Sequence, residues 1–235
     1  MVLVISAVVF FAAFVQTLSG FGFALMVMPL LTILVGLRRA APFVAMAGLT
    51  LYTVNLLRHR RALDPGEVLR LILASVPGVF VGIWALSNVP EKSVTAALGV
   101  ILILYAAYDL AKPETLRLGS PAWAYPAGFL AGCLGGAYNT PGPPLVAYGS
   151  MRGWPRGEFR GTLQAVFLIN ASLVVSSHYV AHHMTPQILS WYLYAVPALI
   201  LGIFLGSIVD RRLSRALFRR LVMVMILLLG VSLVV

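Results

Sequence analysis

Gly135-Gly136-Ala137-Tyr138-Asn139-Thr140-Pro141-Gly142-Pro143-Pro144 interrupts an apolar run that starts at Ala122 and resumes at Leu145-Val146-Ala147-Tyr148. Proline removes a backbone donor and clashes with the preceding turn, so one helix cannot run through this stretch. In lipid an unsatisfied backbone group is costly, and irregular backbone survives at membrane depth only under protein or beside a watery cavity. The stretch therefore reads as a protein-buried break between two helices. Pro143 and Pro144 suit the first turn of the second helix, where no donor is needed. Asn139 or Thr140 is placed to cap it.

The surrounding chain places this break in a membrane. Of 235 residues 60% are hydrophobic, only 10% are charged, and the mean hydropathy is +0.96. A soluble domain carries about 25% charged residues. Long apolar runs recur over 2–37, 69–89, 94–108, 187–209 and 221–235, the signature of a polytopic helical membrane protein. The two-residue alternation of a membrane β-barrel is absent. A single cysteine, Cys133, excludes an intrachain disulfide and a cysteine-based metal site. The net charge of +10 belongs with cytoplasmic loops facing anionic lipid rather than with nucleic acid, since no soluble domain exists to hold it. Residues 1–18 lack a basic leader, the first arginine being Arg38, and read as a first helix rather than a signal peptide.

Glycine, proline and charge clusters divide the chain into helices at about 2–18, 21–36, 40–57, 67–87, 93–111, 121–138, 143–151, 160–180, 186–208 and 215–235. The order repeats. Val76-Pro77-Gly78 with Gly82 reads like Val196-Pro197-Ala198 with Gly202, and at the same offset Gly22 falls on Gly142. With a five-residue loop difference Asn55 falls on Asn170. A softer break, Gln16-Thr17-Leu18-Ser19-Gly20-Phe21-Gly22-Phe23, is the counterpart of the proline-rich one. If 2–36 and 121–151 are hairpins that return to their starting side, 14 of the 17 basic residues share one face, leaving Arg38, Arg39 and Lys92 opposite. The positive-inside rule favours that arrangement, with both termini outside.

The expected fold is an all-α integral membrane bundle in a single domain. It comprises two inverted-topology repeats, about 1–115 and 116–235, each a broken hairpin plus three transmembrane helices. Inverted repeats are a transporter architecture with a site near midplane. Two buried helix starts would turn N–H groups and positive dipole ends toward a shared anion. Neutral side chains such as Asn55, Gln164 and Asn170 would add hydrogen bonds. Gly128, Gly132 and Gly136, like Gly78 with Gly82 and Gly202 with Gly206, also fit close helix packing alone. Asp109 is a candidate for proton coupling, or an interfacial partner of Lys112.

The stretches "SGFGFALMVMPLLTILVG" (19–36) and "GFLAGCLGGAYNTPGPPLVAYGSMRGWPRGEFRGTL" (128–163), with the two-half layout, resemble the TauE/SafE family of membrane transporters. The resemblance implies a plasma-membrane transporter of sulfur-containing anions such as sulfite, sulfoacetate or related organosulfonates. It maps the first turn onto Ser19, Gly20, Phe21 and Gly22, and the second onto Gly135, Gly136, Asn139, Pro141, Gly142, Pro143 and Pro144. Tyr138-Asn139-Thr140 departs from a purely glycine-rich second turn. The candidate substrate-binding set is Ser19, Gly20, Phe21, Gly22, Asn55, Gly136, Asn139, Thr140, Pro141, Gly142, Gln164 and Asn170.

No cofactor is implied. The expected partners are a small anion and the lipid bilayer, with a homo-oligomer compatible and nucleic acid excluded. Two other classes compete. One is a membrane accessory or assembly protein without its own transport cycle. The other is a metal-dependent membrane enzyme using His178, His182 and His183, of which the first two share a helical face. No HExxH, G-x-S-x-G or P-loop motif supports an enzyme.

Overall fold

The structure, a computed structural model, describes residues 1–111, 117–209 and 215–234, without the side chains of Asp109, residues 215–222 and Met225. Asp109 and Lys112 as a coupling or interfacial pair thus lie outside the described groups. Among the described residues ten α-helices follow one another: α1 Val2–Ser19, α2 Phe23–Val35, α3 Leu37–His59, α4 Pro65–Asn88 and α5 Glu91–Ala111, then α6 Ala124–Tyr138, α7 Gly142–Arg152, α8 Arg156–Val180, α9 Pro186–Val209 and α10 Arg215–Val234. A single 3-10 turn, Pro121–Trp123, leads into α6. The helix breaks read from sequence at 20–22 and 139–141 are present.

Local chemistry explains the ends. Asp64 caps α4 by accepting from the Gly66 and Glu67 amides at 2.7 and 3.1 Å, with Pro65 at the first helical position. The α3 start is held across space: the Glu91 carboxylate accepts the Leu37 N–H at 2.6 Å. Six helices among the described residues are long and apolar enough to cross a membrane: α1, α3, α4, α5, α8 and α9. Leu69, Leu73, Phe80 and Trp84 expose one apolar face of α4, as Leu193, Leu201 and Phe204 do on α9. Exposure of such residues on a water-facing protein would cost heavily; toward lipid it costs nothing.

The helices associate in pairs: α4 with α6, α1 with α9, α5 with α10, and α3 with α8. In lipid no hydrophobic drive separates helix faces from their surroundings, so close van der Waals fit must hold them. Glycines provide it. A Cβ added at Gly128, Gly132 or Gly136 would sit 2.3, 2.1 or 2.2 Å from the carbonyl oxygens of Leu71, Ser75 and Val79 on α4. Gly78 and Gly82 return the fit against Phe129 and Cys133 of α6. Gly202 and Gly206 play the same part on α1, against Phe10 and Phe14. The packing reading of these glycines holds.

The pair α3 and α8 is antiparallel in register. Gly161 lies against the His59 carbonyl, and the Tyr52 and Phe167 rings meet at 5.2 Å. This pair carries the buried polar side chains Asn55, Arg160, Thr162, Gln164, Asn170 and His178, and the two hairpins, α1–α2 and α6–α7, reach onto it.

Candidate functional site

The first break is a two-glycine turn. Gly20 has φ +89° and Gly22 φ +113°, left-handed backbone that only glycine adopts cheaply. The Gly20 N–H closes α1 on the Gln16 carbonyl at 2.8 Å. Gln16, 1% exposed, then spans the turn with its side chain. Its Oε1 accepts the Phe23 N–H at 2.9 Å and its Nε2 donates to the Gly20 carbonyl at 3.2 Å. From α8, Gln164 Nε2 donates to that same carbonyl at 2.8 Å. The Arg160 guanidinium donates to the Leu18 carbonyl, placing positive charge on the C-terminal end of α1. The Ser19 hydroxyl donates its one proton to the Val15 carbonyl at 2.8 Å and accepts the Phe21 N–H at 3.3 Å, and Phe21 sets its ring edge-on against Tyr105 at 6.5 Å.

The second break ends α6 with Asn139 at φ +56°, a conformation asparagine tolerates better than other side chains. The Asn139 and Thr140 amides return to the Gly135 and Leu134 carbonyls at 2.8 and 3.2 Å. Asn139 Nδ2 donates to the Ala41 carbonyl on α3 at 2.9 Å. Pro141 precedes α7, whose first turn holds Gly142, Pro143 and Pro144.

Three expectations change here. Asn139 closes α6 rather than capping α7, because its side chain is already committed to Ala41; α7 starts without a side-chain cap. The first N–H of α2, at Phe23, is occupied by Gln16 and is not free for an anion. The two breaks also do not meet at one point. The first lies beside Phe159, Arg160 and Gln164, whereas Gly135 and Pro141 of the second lie beside Asn170. Gln164 and Asn170 are six positions apart on α8, about 9 Å along the axis. The Tyr52–Phe167 pair fills that interval.

The structure leaves several buried polar atoms without partners, on either side of the Tyr52–Phe167 pair. Asn170 is 3% exposed; its Oδ1 accepts from Ser75 Oγ at 2.6 Å, while its Nδ2 has no partner. Asn55, 2% exposed, has neither side-chain atom satisfied. Its level follows from the helix register: it lies between the His59–Gly161 and Tyr52–Phe167 contacts, at the depth of Gln164. Thr140 Oγ1 is likewise buried and unpaired. Each such group costs about 1–3 kcal/mol unless something fills it. The cavity shared by Tyr52, Asn139, Pro141, Phe167 and Asn170 measures about 10 Å³, space for one water. The arrangement is closed.

Of the remaining sequence candidates, Gly136 belongs to the α4–α6 contact, and Gly142 has only the Phe167 ring within reach of an added Cβ, at 3.9 Å. Sequence reasoning passed over Gln16, Ser75 and Arg160 as site residues. The signal for Gln16 was available: an amide alone in an apolar helix, four residues before Gly20. It also passed over Glu67, 3% exposed, which takes Tyr148 Oη at 2.7 Å, Arg70 at 3.2 Å and Arg152 at 3.4 Å and ties α7 to α4. His178 and His183 face each other, Nδ1 to Nδ1 at 3.1 Å. Among the described residues no group of three or more His, Cys, Asp or Glu is arranged to hold a metal ion.

Comparison with known proteins adds a near full-length match. The family described as "Sulfite exporter TauE/SafE" matches residues 5–233. Over 170 residues the chain is 25% identical to the "Probable inner membrane transporter protein TsaS" of Comamonas testosteroni, covering 70% of this chain and 71% of that one. No solved structure matches.

Proposed function

Since this chain belongs to the sulfite exporter TauE/SafE family, a family of membrane transporters and not of enzymes, we propose that it moves small sulfur-containing oxyanions, such as sulfite or organosulfonates, out of the cell by alternating access. The observation that carries this reading is the pair of buried, unpaired amide nitrogens of Asn55 and Asn170, on facing helices beside the two broken hairpins. Neutral N–H donors suit oxygen acceptors that bear negative charge. Cations would call for carboxylates, and Glu67, the buried one among the described groups, is already neutralised by Arg70 and Arg152.

The same reading takes residues 1–115 and 116–235 as inverted repeats. Exchanging α1–α5 with α6–α10 in order turns the α4–α6 pair into α9–α1, and returns α3–α8 and α5–α10 to themselves. Each of those pairs exists, and each break packs on the helix that follows the other hairpin. Asn139 holds Ala41 of α3; Gly20 is held by Gln164 of α8. Opening requires the Tyr52–Phe167 contact to part so that one side of the α3–α8 seam connects to solvent, the repeats rocking on their glycine-lined contacts. This reading sets the helix ends at 58–61, 117 and 152–160 in the cytoplasm of a multi-pass inner-membrane protein, with both termini outside; the basic residues clustered there support it through the positive-inside rule.

Reconstituted protein should move radiolabelled sulfite. Asn55→Leu should suppress that flux by about tenfold or more while leaving the protein folded, since no hydrogen bond is lost in the closed state. Equal flux in wild type, variant and empty vesicles would reject transport and favour an accessory role. Labelling of Gly119→Cys in a Cys133→Ser background tests orientation: modification by an impermeant reagent added outside would reverse it.

A further inference from the structure

At the end of the bundle where α3 and α9 begin and α4 and α8 end lies a second cavity, about 650 Å³. Arg38, Arg39, His178, His182, His183 and Gln187 line it, and among the described residues no carboxylate does. Neither arginine makes an ion pair among the described residues. The N-terminus of α9 adds partial positive charge at its wall, whereas that of α3 is already met by the Glu91 carboxylate at the Leu37 N–H. His178 lines it while only 3% exposed, and its Nε2 has no partner. When His183 Nδ1 donates across the 3.1 Å contact, His178 keeps its proton on Nε2 and offers it as a donor; in the opposite tautomer that Nε2 accepts.

The cavity stands directly over the second break. Asn170, Val174 and His178 follow at intervals of four on α8, about 6 Å per step. Val174 lines the small closed cavity and His178 the large one. On α3, Arg38 lies one turn before Ala41, whose carbonyl holds Asn139. In the proposed orientation this is the outer face, where topogenesis disfavours arginine and lysine. Two of the three basic residues on that side nonetheless converge on this one cavity.

We propose that this mouth is a second anion-binding site, a waiting station for a small oxyanion between the closed centre and the outside. Its side of the membrane and its place on the route rest on the transport reading above; its ligand chemistry does not. The two guanidinium forks suit a ligand with at least two oxygens on one sulfur. A lipid phosphate offers the same oxygens at this depth, so the experiment must separate the two sources.

The test titrates sulfate and methanesulfonate calorimetrically into the full chain held in nanodiscs of phosphatidylcholine, then of phosphatidylcholine with phosphatidylglycerol. Wild type should bind both anions in both discs. Arg38→Gln with Arg39→Gln should weaken binding by about ten- to a hundredfold without moving the thermal midpoint. Gly119→Ala, whose added Cβ has nothing within 4 Å, should leave this binding in place. Unchanged sulfate affinity in the folded double variant overturns the proposal. Loss of sulfate binding whenever phosphatidylglycerol is present also overturns it, assigning the cavity to lipid headgroups. Binding here with no flux in wild type would instead sink the transport reading and leave this site standing.

Discussion

Replacing Gln16 with leucine asks whether side-chain amides hold the first break. Leucine keeps the volume and removes the bonds to the Phe23 N–H at 2.9 Å and the Gly20 carbonyl at 3.2 Å, together with the long, weak one to Gln164 Oε1 at 3.5 Å. The carbonyl retains Gln164 at 2.8 Å; the Phe23 N–H is left buried with no substitute. The orphaned donor costs about 1–3 kcal/mol and the second bond about 1 kcal/mol, so Gln16→Leu should cost about 2–4 kcal/mol. Gln164→Leu removes one donor from a carbonyl that Gln16 still serves, and should cost about 1 kcal/mol. In the double variant the Gly20 carbonyl loses both donors, so the loss should exceed the sum by about 1 kcal/mol. Thermal unfolding in detergent reads these differences. For a chain of this length each kcal/mol shifts the midpoint by about 2–4 °C. A Gln16→Leu protein as stable as wild type, or a Gln164→Leu protein more damaged than it, refutes this account of the turn.

Two further outcomes follow from packing and charge. Gly132→Ala puts a Cβ 2.1 Å from the Ser75 carbonyl, against backbone that cannot swing away, and should cost about 1–3 kcal/mol; Gly119→Ala, with nothing within 4 Å, should leave the midpoint unchanged. Equal midpoints for the two would mean the α4–α6 contact is not tight. Glu67→Ala strips three donors of one buried acceptor and should cost about 3–5 kcal/mol, whereas Arg70→Ala, an exposed i,i+3 partner, should cost under about 1 kcal/mol in the same unfolding assay.

Asn55 and Asn170 were legible as a pair because both halves place an amide at corresponding positions, and amides in apolar helices stand out. Asn139 was legible as a residue at a break but not in its role. Whether it serves the helix before or the helix after depends on Ala41, 98 residues away, coming within reach. Gln16 was missed for a related reason. Its partners at Gly20 and Phe23 are local, but its importance comes from burial, which needs α8 laid across the turn. Gly136 sat in the quoted motif and reads as site or spacer until α4 is seen against it.

The class, the ten helical segments and both interruptions were determined by the amino-acid order alone. They depend on hydropathy over about 20 residues and on rules that act within one turn: proline lacks a donor, and glycine alone enters left-handed backbone freely. Which groups cover those interruptions was decided by tertiary structure. Gln164 reaches Gly20 across 144 positions, Ser75 reaches Asn170 across 95, and Tyr52 closes on Phe167 between them. Such pairings follow from how closely the helices approach and in what register. That is set by many small glycine contacts acting together, a sum no local stretch of the chain contains.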